Sequence, residues 1–374
     1  MTDEPPRGAR RAGFALGRIR GVPVIVSPSW LLVVILLSAV YAPVIGTAVP
    51  GIAVSTAYAA AFGFALLFGL CVLAHEVGHT LVSLALGHPV HRVVLFALGG
   101  VSEADDPERP RDEFLISAAG PFVTAVIAGG AWLGYAAAPR DTLLGALLGL
   151  LSWSNLVLAV FNLLPGLPLD GGRMVRAVAC AVGASQLTGT RIAAWSGRLV
   201  ALLVAVVGLV ADRSSLGLAA GAFSIALAGY LWIAATQSLK AAQLMAQLPA
   251  IAVTDLLRPG MFVPDDVSVG EALRRVWDSQ ARGLVLVDAT DQPNAIVDEV
   301  RIGAVPPDRR AWTPVRAVAR PLEPGLVLPD SLDAEGLLRR MQATPAHEYL
   351  VVRADGTAAG IITTRDFARR LKGA

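Results

Sequence analysis

Residues 53–87 read AVSTAYAAAFGFALLFGLCVLAHEVGHTLVSLALG, an apolar run that contains His75-Glu76-Val77-Gly78-His79. The run exceeds the roughly 20 apolar residues that a helix needs to cross a bilayer. In a helix, residues four apart lie one turn apart on nearly the same face, so His75 and His79 can bind one metal ion while Glu76 lies beside it. A charged group costs about 2.5–3.5 kcal/mol at the centre of a span and is retained there mainly for function. The stretch therefore predicts a metal site inside a membrane-spanning helix.

Composition divides the chain into two parts. Of its 374 residues, 55% are hydrophobic and 16% are charged, against about 25% charged residues in ordinary soluble domains. Apolar residues dominate from Trp30 to Ala235, whereas charge density returns to that of soluble proteins after Ala252. This pattern predicts a membrane domain followed by a hydrophilic one. A net charge of +2 without a Lys/Arg cluster gives no reason to expect a nucleic-acid partner.

Six apolar spans predict a polytopic α-helical membrane protein embedded in the lipid bilayer. They cover residues 30–49, 53–86, 114–138, 142–164, 197–211 and 216–237. The second is too long for one simple crossing, and the fifth is short for a full one.

The arginines predict the orientation of these spans, because positive charge accumulates on the cytoplasmic side. With six crossings, twelve arginines fall on the side of the N-terminus and two on the other side. The twelve are Arg7, Arg10, Arg11, Arg18, Arg20, Arg92, Arg109, Arg111, Arg173, Arg176, Arg191 and Arg198; the two are Arg140 and Arg213. We therefore expect a multi-pass protein of the cell (plasma) membrane with both termini in the cytoplasm. The use of Arg rather than Lys indicates a bacterial source.

A second motif, NLLPGLPLDGGR at residues 162–173, offers a further metal ligand. Pro165 and Pro168 stop the fourth span, because proline lacks the amide donor that a helix needs. Asp170 follows this break, and the two glycines after it permit close approach of the chain. Hydrolytic zinc sites usually have three protein ligands, so we expect Asp170 to complete the set begun by the two histidines. The alternative is that Asp170 caps a helix that starts near Met174.

The predicted chemistry is hydrolysis. One Zn²⁺ per subunit, held by His75, His79 and Asp170, would make a water molecule acidic enough to attack at neutral pH. Glu76 would take the proton of that water and return it to a leaving amine. Asn162 would stabilise the developing oxyanion, or alternatively would only tie helices together.

Together these motifs resemble the site-2 protease (M50) family of intramembrane zinc metalloproteases. The resemblance covers roughly residues 17–198 and rests on the His-Glu-x-x-His motif, a Gly-Pro early in the next span, and the Asp-Gly-Gly motif. It implies an intramembrane endopeptidase that cleaves the membrane-spanning segment of a single-span substrate, such as an anti-sigma factor. It also implies zinc ligation by His75, His79 and Asp170, Glu76 as the base, and Asn162 near the scissile bond.

One position departs from the family pattern. Relatives commonly carry Gly-x-x-x-Asn early in the third span, whereas this chain has Gly120-Pro121-Phe122-Val123-Thr124. Thr124 keeps a hydroxyl but lacks the two amide donors of asparagine. A substrate contact at this position is therefore in doubt.

A membrane-associated β-hairpin is predicted between the second and third spans. Residues 90–101 are rich in β-branched and aromatic side chains and contain Gly99-Gly100 as a turn. An edge strand there could hold an unwound substrate by strand addition; the alternative is a structural hairpin without a substrate. His88 and His91, which lie nearby, are expected to be loop or interfacial residues rather than ligands.

The C-terminal region contains two copies of a β-α-β pattern and resembles a tandem cystathionine-β-synthase (CBS) pair, a cytoplasmic α/β domain. The second copy has Gly-Ile-Ile-Thr-x-x-Asp, in which Thr363 and Asp366 would meet the ribose of an adenine nucleotide. In the first copy Asp298 and Arg301 replace these two residues. The alternative is a packing and homodimerisation module without a ligand.

The predicted organisation is a cytoplasmic N-terminal segment (residues 1–28), a metalloprotease domain (29–238), a linker (239–251) and two CBS domains (252–312 and 313–374). Two other functions stay open at this point. One is a membrane transporter regulated by the CBS pair, although no inverted repeat is visible. The other is a catalytically inactive relative that binds substrates without cutting them.

Overall fold

The computed structural model describes residues 13–97, 99–105, 107, 109–211, 217–247, 253–279, 281 and 283–373. It divides into two compact units, Met1–Lys240 and Ala241–Ala374. Each unit is described by itself below.

The first unit is built from long apolar helices. Its helices are α1 (Trp30–Ala48), α2 (Val54–Ala85), α3 (Pro110–Ala137), α4 (Leu143–Asn162), α5 (Asp170–Ala181), α6 (Gln186–Ala211) and α7 (Gly217–Gln247). Within the described ranges, all of these except α5 are long and apolar enough to cross a membrane, which gives six candidate spans. The prediction of a polytopic helical membrane protein is therefore confirmed.

One predicted span begins at the wrong residue. Helix α6 starts at Gln186, whereas the apolar pattern predicted a start at residue 197. The first turns of α6 contain Arg191 and several polar residues, which lower the local hydropathy. They are nevertheless helical because Ala193 and Ala194 are fully buried against Leu167.

A four-stranded sheet accompanies the helices. Its strands are β1 (Phe14–Ile19), β2 (Val22–Val26), β3 (Val90–Phe96) and β4 (Gly99–Ala104), in the order β1-β2-β3-β4. Strands β2 and β3 are parallel, and the other pairs are antiparallel. A hairpin between α2 and α3 was predicted, but its predicted turn at Gly99-Gly100 is wrong, because both glycines lie in β4 and pair with Phe96 and Leu95 of β3. Strands β1 and β2 were not predicted. Their connecting residues Arg20 and Gly21 both have positive φ, 48° and 88°, as a tight two-residue hairpin turn requires.

Small residues bring α2 close to α3. A Cβ atom placed on Gly78 would lie 2.9 Å from the Val123 side chain and 3.1 Å from the Ala119 carbonyl oxygen. Close backbone approach at small residues is how helices associate in lipid, where apolar burial alone gives no driving force. The contact presses the His-Glu-x-x-His turn against α3.

The proline-containing break ends α4 and starts α5 in a compact turn. Added Cβ atoms on Gly171 and Gly172 would lie 2.4 Å from the Leu163 carbonyl oxygen and 2.2 Å from the Gly166 carbonyl carbon. Both glycines therefore serve close approach. Helix α5 begins at Asp170, and its N-cap position is Leu169. The alternative reading of Asp170 as the cap of a later helix is wrong.

The second unit is an α/β domain with two sheets. The four-stranded sheet has the order β5 (Met261–Pro264), β6 (Leu284–Val287), β7 (Pro293–Val297), β8 (Ala319–Pro321), and the other has β11 (Ala358–Thr363), β10 (Glu348–Val352), β9 (Val327–Pro329). The helices are α8 (Val269–Trp277), α9 (Glu299–Gly303), α10 (Ala334–Ala343) and α11 (Thr364–Gly373). The predicted repeat of helices and strands is present in both halves.

The two halves of this unit exchange segments. Strand β8 lies beyond the predicted boundary at residues 312/313 but pairs with β7 of the first half. Conversely, Arg258 forms a β-bridge with Ile361 of the second half. Val315 and Val318 also pack in the core of the first half. No single boundary along the chain therefore separates the two halves. The boundary at residues 312/313 marks where the sequence pattern repeats, and it stays a prediction.

Candidate metal centre

The structure brings together the three predicted ligands. His75 Nε2 lies 3.1 Å from His79 Nε2 and 3.1 Å from Asp170 Oδ2, and His79 Nε2 lies 3.3 Å from the same oxygen. Tetrahedral zinc with ligand bonds of about 2.0–2.1 Å separates its ligand atoms by about 3.3 Å. Three donor atoms at these mutual distances form one face of such a tetrahedron. The donor set and its spacing therefore fit a zinc ion.

The ring of His79 is oriented by its second nitrogen. Nδ1 of His79 donates to the carbonyl oxygen of Ile116 over 2.7 Å. This hydrogen bond fixes the tautomer that leaves the Nε2 lone pair for a metal, the usual arrangement of metal-binding histidines. In the described part of the chain, Nδ1 of His75 is buried without such a partner.

Helix α3 leaves room for the imidazoles because it has a glycine opposite them. A Cβ on Gly120 would lie 2.3 Å from His79 Nε2 and 2.6 Å from His75 Nε2. Real Cβ contacts are essentially never this short. The space next to both Nε2 atoms therefore exists only because residue 120 has no side chain, and this supports the fit to a metal.

Glu76 is held beside the ligands by strand β4. Its side chain is buried, and Oε2 accepts a hydrogen bond from Ser102 Oγ over 3.1 Å. A Cβ on Gly100 would lie 2.3 Å from Glu76 Cγ. Donor atoms of His75, Glu76 and His79 all lie within 4.8 Å of one another. The carboxylate is close enough to act on a water bound at the centre without being needed as a ligand.

A cavity of about 400 Å³ opens onto this site. It is bounded by α2, by the strand β4, and by residues from α3 and α5. Among its lining residues are Glu76, His79, Gly100, Ser102 and Asp170. The candidate base and two candidate ligands are thus reachable from one space that adjoins β4.

A buried ion pair ties α5, which carries Asp170, to α3. Arg176 Nη2 lies 2.5 Å from Glu113 Oε1, and the exposed fractions of the two side chains are 16% and 1%. Such a pair is costly to break because one charge would be left buried. It therefore fixes the position of α5 relative to the helix that faces the histidines.

Other predicted residues lie elsewhere. The Asn162 amide donates to the Leu158 carbonyl oxygen within its own helix at 3.0 Å, and Asn162 does not line the cavity. The Thr124 hydroxyl is buried and donates to carbonyl oxygens of Gly120 and Pro121.

The two remaining histidines of the first unit form separate pairs. His88 Nε2 lies 3.2 Å from Asp112 Oδ2, and His91 Nε2 lies 3.2 Å from Asp105 Oδ1. Neither His88 nor His91 contributes to the triangle formed by His75, His79 and Asp170.

In the second unit, Thr363 and Asp366 are adjacent. The Thr363 hydroxyl donates to Asp366 Oδ2 over 2.9 Å, and Arg258 Nη2 donates to Asp366 Oδ1 over 2.8 Å. The Arg258 guanidinium is the main cause that lowers the pKa of Asp366. A cavity of about 970 Å³ lies here, lined among others by Arg258, Asp366, Arg369 and Arg370.

Sequence reasoning did not identify Gly100, Ser102, Gly120 and the Ile116 carbonyl as parts of the site. Serines are common in all sequences and every residue has a backbone carbonyl, so neither Ser102 nor Ile116 could be recognised from the sequence as a partner of Glu76 or His79. Gly120 was noted only as part of a family motif. Ser102 lies one residue beyond the predicted hairpin of residues 90–101, because β4 continues to Ala104.

Six candidate membrane spans and a zinc-binding donor set are the features expected of a membrane metalloprotease. Comparisons with known proteins support this assignment. The sequence profile of peptidase family M50 matches residues 63–140 and 135–207. The chain is 31% identical over 259 residues to sll0528 of Synechocystis sp., whose name assigns it to the zinc metalloproteases, with 68% of each chain covered. It is 27% identical over 365 residues to Rip3 of Mycobacterium tuberculosis, similarly named, with 96% of this chain and 93% of Rip3 covered. This chain therefore belongs to peptidase family M50, the site-2 protease family, and is a membrane zinc metalloprotease.

Two solved structures are similar to parts of this chain. The site-2 protease from Methanocaldococcus jannaschii is 26% identical and covers 60% of this chain and 94% of its own, with a TM-score of 0.43. The CBS domain of a bacterial CNNM/CorC family Mg²⁺ transporter is 15% identical and covers 45% and 94%, with a TM-score of 0.30.

Proposed function

We propose that this protein is an intramembrane endopeptidase that hydrolyses the membrane-spanning segment of a single-span protein. The observation that carries the proposal is the triangle of His75, His79 and Asp170 donor atoms. The two histidines and Glu76 lie on α2, a helix long enough to span the bilayer. Membrane-anchored regulators such as anti-sigma factors are the substrate class that the family resemblance suggests.

His75, His79 and Asp170 are proposed as the zinc ligands, with one ion per subunit. Zinc bound there would supply a Lewis acid for the scissile carbonyl and for the attacking water. Glu76 would accept the proton of that water and deliver it to the leaving amine. Ser102 would keep the Glu76 carboxylate directed at the cavity, because its hydroxyl donates to Oε2.

Strand β4 is the proposed binding edge for the substrate. It lies at the end of the sheet order β1-β2-β3-β4, so one of its edges has no strand partner in the described part of this sheet. A substrate helix hides its carbonyls in internal hydrogen bonds and must unwind before hydrolysis. An unwound segment added beside β4 would exchange those bonds for strand hydrogen bonds. Gly100 and Ser102 contact Glu76, so the segment would run next to the candidate base.

Asn162 is proposed as a donor to the oxyanion. Its Nδ2 group carries two hydrogens, and the bond to the Leu158 carbonyl uses one of them. A substrate segment that reaches the C-terminal end of α4, where Asn162 lies, would accept the second hydrogen without loss of the helix contact. The alternative is that Asn162 only ties helices together; single-turnover cleavage by Asn162→Ala would then be as fast as that by the wild type.

The second unit is proposed to be a cytoplasmic CBS pair that regulates the protease. Its support is the double β-α-β pattern with exchanged segments. An adenine nucleotide whose ribose meets Thr363 and Asp366 would compete with Arg258, which already pairs with Asp366. We also propose that this unit forms homodimers and that both termini lie in the cytoplasm. The protein is further proposed to reside in the plasma membrane of a bacterium.

The test is cleavage by the purified full-length chain in proteoliposomes that contain a single-span reporter. We expect the wild type to cut the reporter within its apolar segment, as located by mass spectrometry of the fragments. Glu76→Gln should retain zinc and lose cleavage. Cleavage outside the apolar segment, or undiminished cleavage by Glu76→Gln, would contradict the proposal. Comparing single-span proteins that accumulate uncut in cells with Glu76→Gln would then identify natural substrates.

A further inference from the structure

Helices α6 and α7 carry positive charge without any acidic residue. Between Gln186 and Ala211 the charged residues are Arg191 and Arg198, and between Gly217 and Gln247 the charged residue is Lys240. Both helices are candidate membrane spans. Three cations on two neighbouring spans without a carboxylate on either helix are unusual, because charges in spans normally pair with one another.

Arg198 lies between two tryptophans. Its guanidinium carbon is 4.6 Å from the ring centre of Trp195 on α6 and 5.5 Å from that of Trp232 on α7. Nη2 donates to Thr236 Oγ1 over 3.2 Å. The two indoles are 55% and 48% exposed, so they face the surroundings of the protein rather than its core.

The charge of Arg198 is not neutralised by the part of the chain that the structure describes. None of the ion pairs among the described residues includes Arg198, and its Nε is buried without a hydrogen-bond acceptor. A guanidinium has five N–H donors, and one hydrogen bond accounts for only one of them. Cation–π contacts with the indoles stabilise the cation but leave its charge in place. The buried Nε is out of reach of an anion outside the protein, but the hydrogen bond to Thr236 uses only one of the Nη hydrogens. The other Nη hydrogens and the positive charge are therefore left for an anion.

The other two cations, Arg191 on α6 and Lys240 on α7, lie at the same end of the two helices. Leu239 packs against Ala193 and Ala194, and Leu231 packs against Ala201, so α6 and α7 run antiparallel. Arg191 and Lys240 consequently lie toward the same end of the two helices, and both are exposed. This is the end that the arginine distribution predicts to be cytoplasmic, where anionic lipids concentrate.

We propose that the membrane-facing surface around Arg198, Trp195 and Trp232 binds the phosphate of an anionic phospholipid headgroup. Arginine is suited to phosphate because its planar fork donates two parallel hydrogen bonds. Tryptophans flanking a headgroup site match their preference for the membrane interface. Arg191 and Lys240 add positive charge around the phosphate. The proposal does not depend on the proteolytic function.

The experiment measures quenching of tryptophan fluorescence by brominated lipids in nanodiscs that hold the full-length protein. Dibromo-phosphatidylglycerol is compared with dibromo-phosphatidylcholine at equal bromine content. We expect the anionic lipid to associate with the quenched tryptophans at least about fivefold more strongly, since each basic residue at a membrane surface contributes about that factor. Arg198→Gln should lower this preference about fivefold, the contribution of one basic residue. Arg140→Gln is the matched control, because Arg140 also lies over an aromatic ring, Tyr135, at 5.9 Å, and should leave the preference unchanged.

An equal preference in wild type and Arg198→Gln, or no preference in the wild type, would overturn the proposal. Displacement of the anionic lipid by inorganic phosphate added to the buffer would overturn it in favour of a soluble-anion site. If Arg198→Gln loses zinc, and so is disturbed in its fold, Arg198→Lys is scored instead. Arg198→Lys keeps the positive charge but lacks the planar guanidinium, so it should retain less than half of the preference for the anionic lipid. Full retention of that preference would count against a phosphate site at Arg198.

Discussion

The Ser102 hydroxyl on β4 lies 3.1 Å from Oε2 of Glu76 on α2, so the edge strand of the sheet and the candidate base are joined by a hydrogen bond. The same hydroxyl lies 3.2 Å from the Glu76 backbone carbonyl oxygen. A strand that binds substrate along its free edge would therefore also fix the group that moves the proton. This contact couples the position of β4 to the orientation of Glu76.

Ser102→Ala should lower kcat about tenfold, because a hydrogen bond to a charged group is worth about 1.5–3 kcal/mol and part of it orients the base. Zinc content should stay unchanged, since Ser102 contacts no proposed ligand. Single-turnover cleavage of the reporter in proteoliposomes measures the effect. The control is Ser152→Ala, whose hydroxyl donates to the Ala128 carbonyl oxygen away from the centre. Equal rates for the two variants would show that Ser102 does not orient Glu76.

Gly120→Ala should weaken zinc binding by about 100-fold or more, a loss at the upper end of that seen when groups supporting a metal ligand are altered. The added methyl would lie 2.3 Å from His79 Nε2 and must displace the imidazoles. Gly129→Ala is the matched control in the same helix, because nothing lies within 4 Å of a Cβ at that position. Zinc affinity is measured by competition with a chelator of known affinity. Normal affinity in Gly120→Ala would mean that the two imidazoles do not meet the metal on the side facing α3.

Arg176→Met should destabilise the membrane unit by about 3 kcal/mol, because it leaves the Glu113 carboxylate buried without this partner. Unfolding in mixed micelles with increasing denaturing detergent measures the change. The double variant Glu113→Gln/Arg176→Met should recover part of the loss, since the buried charge is then removed as well. A single variant as stable as the wild type would show that this ion pair does not hold α5 against α3.

The second unit should be less stable at neutral than at mildly acidic pH because of Glu348. Burial is the first cause that raises the pKa of this carboxyl, and the charges of Asp298 and Glu299 raise it further. A raised carboxyl pKa favours the protonated folded form, so this contribution is lost as pH rises from the unfolded value, about 4.3, through the folded one. Glu348→Gln should reduce the pH dependence, which calorimetry of the full-length chain would follow. An identical pH profile in the variant would count against this account.

The sequence was most informative where chemistry and periodicity coincide. The histidines four apart, the Pro-Pro break and Asp170 all carry strong local signals, and the structure brings the three side chains to one point. The six spans were visible because apolar length is a sufficient signal in lipid. None of these predictions required knowledge of tertiary packing.

The parts that were not predicted depend on tertiary contacts. Strands β1 and β2 are connected by Arg20-Gly21, which lacks the Asn-Gly or Asp-Gly signature of a two-residue hairpin turn. Helix α6 extends to Gln186 because Ala193 and Ala194 pack in the interior, which outweighs the polar residues nearby. The role of Ser102 follows only from the sheet register, in which β4 places it next to α2.

Zinc content of the purified full-length protein and two variants tests the central claim most directly. Inductively coupled plasma mass spectrometry should find about one zinc per chain in the wild type, as expected for a site with the three proposed protein ligands. Glu76→Gln should retain that zinc, whereas Asp170→Ala should lose it. A wild type without zinc, or an Asp170→Ala variant that holds as much zinc as the wild type, would contradict a centre built from the two histidines and this carboxylate.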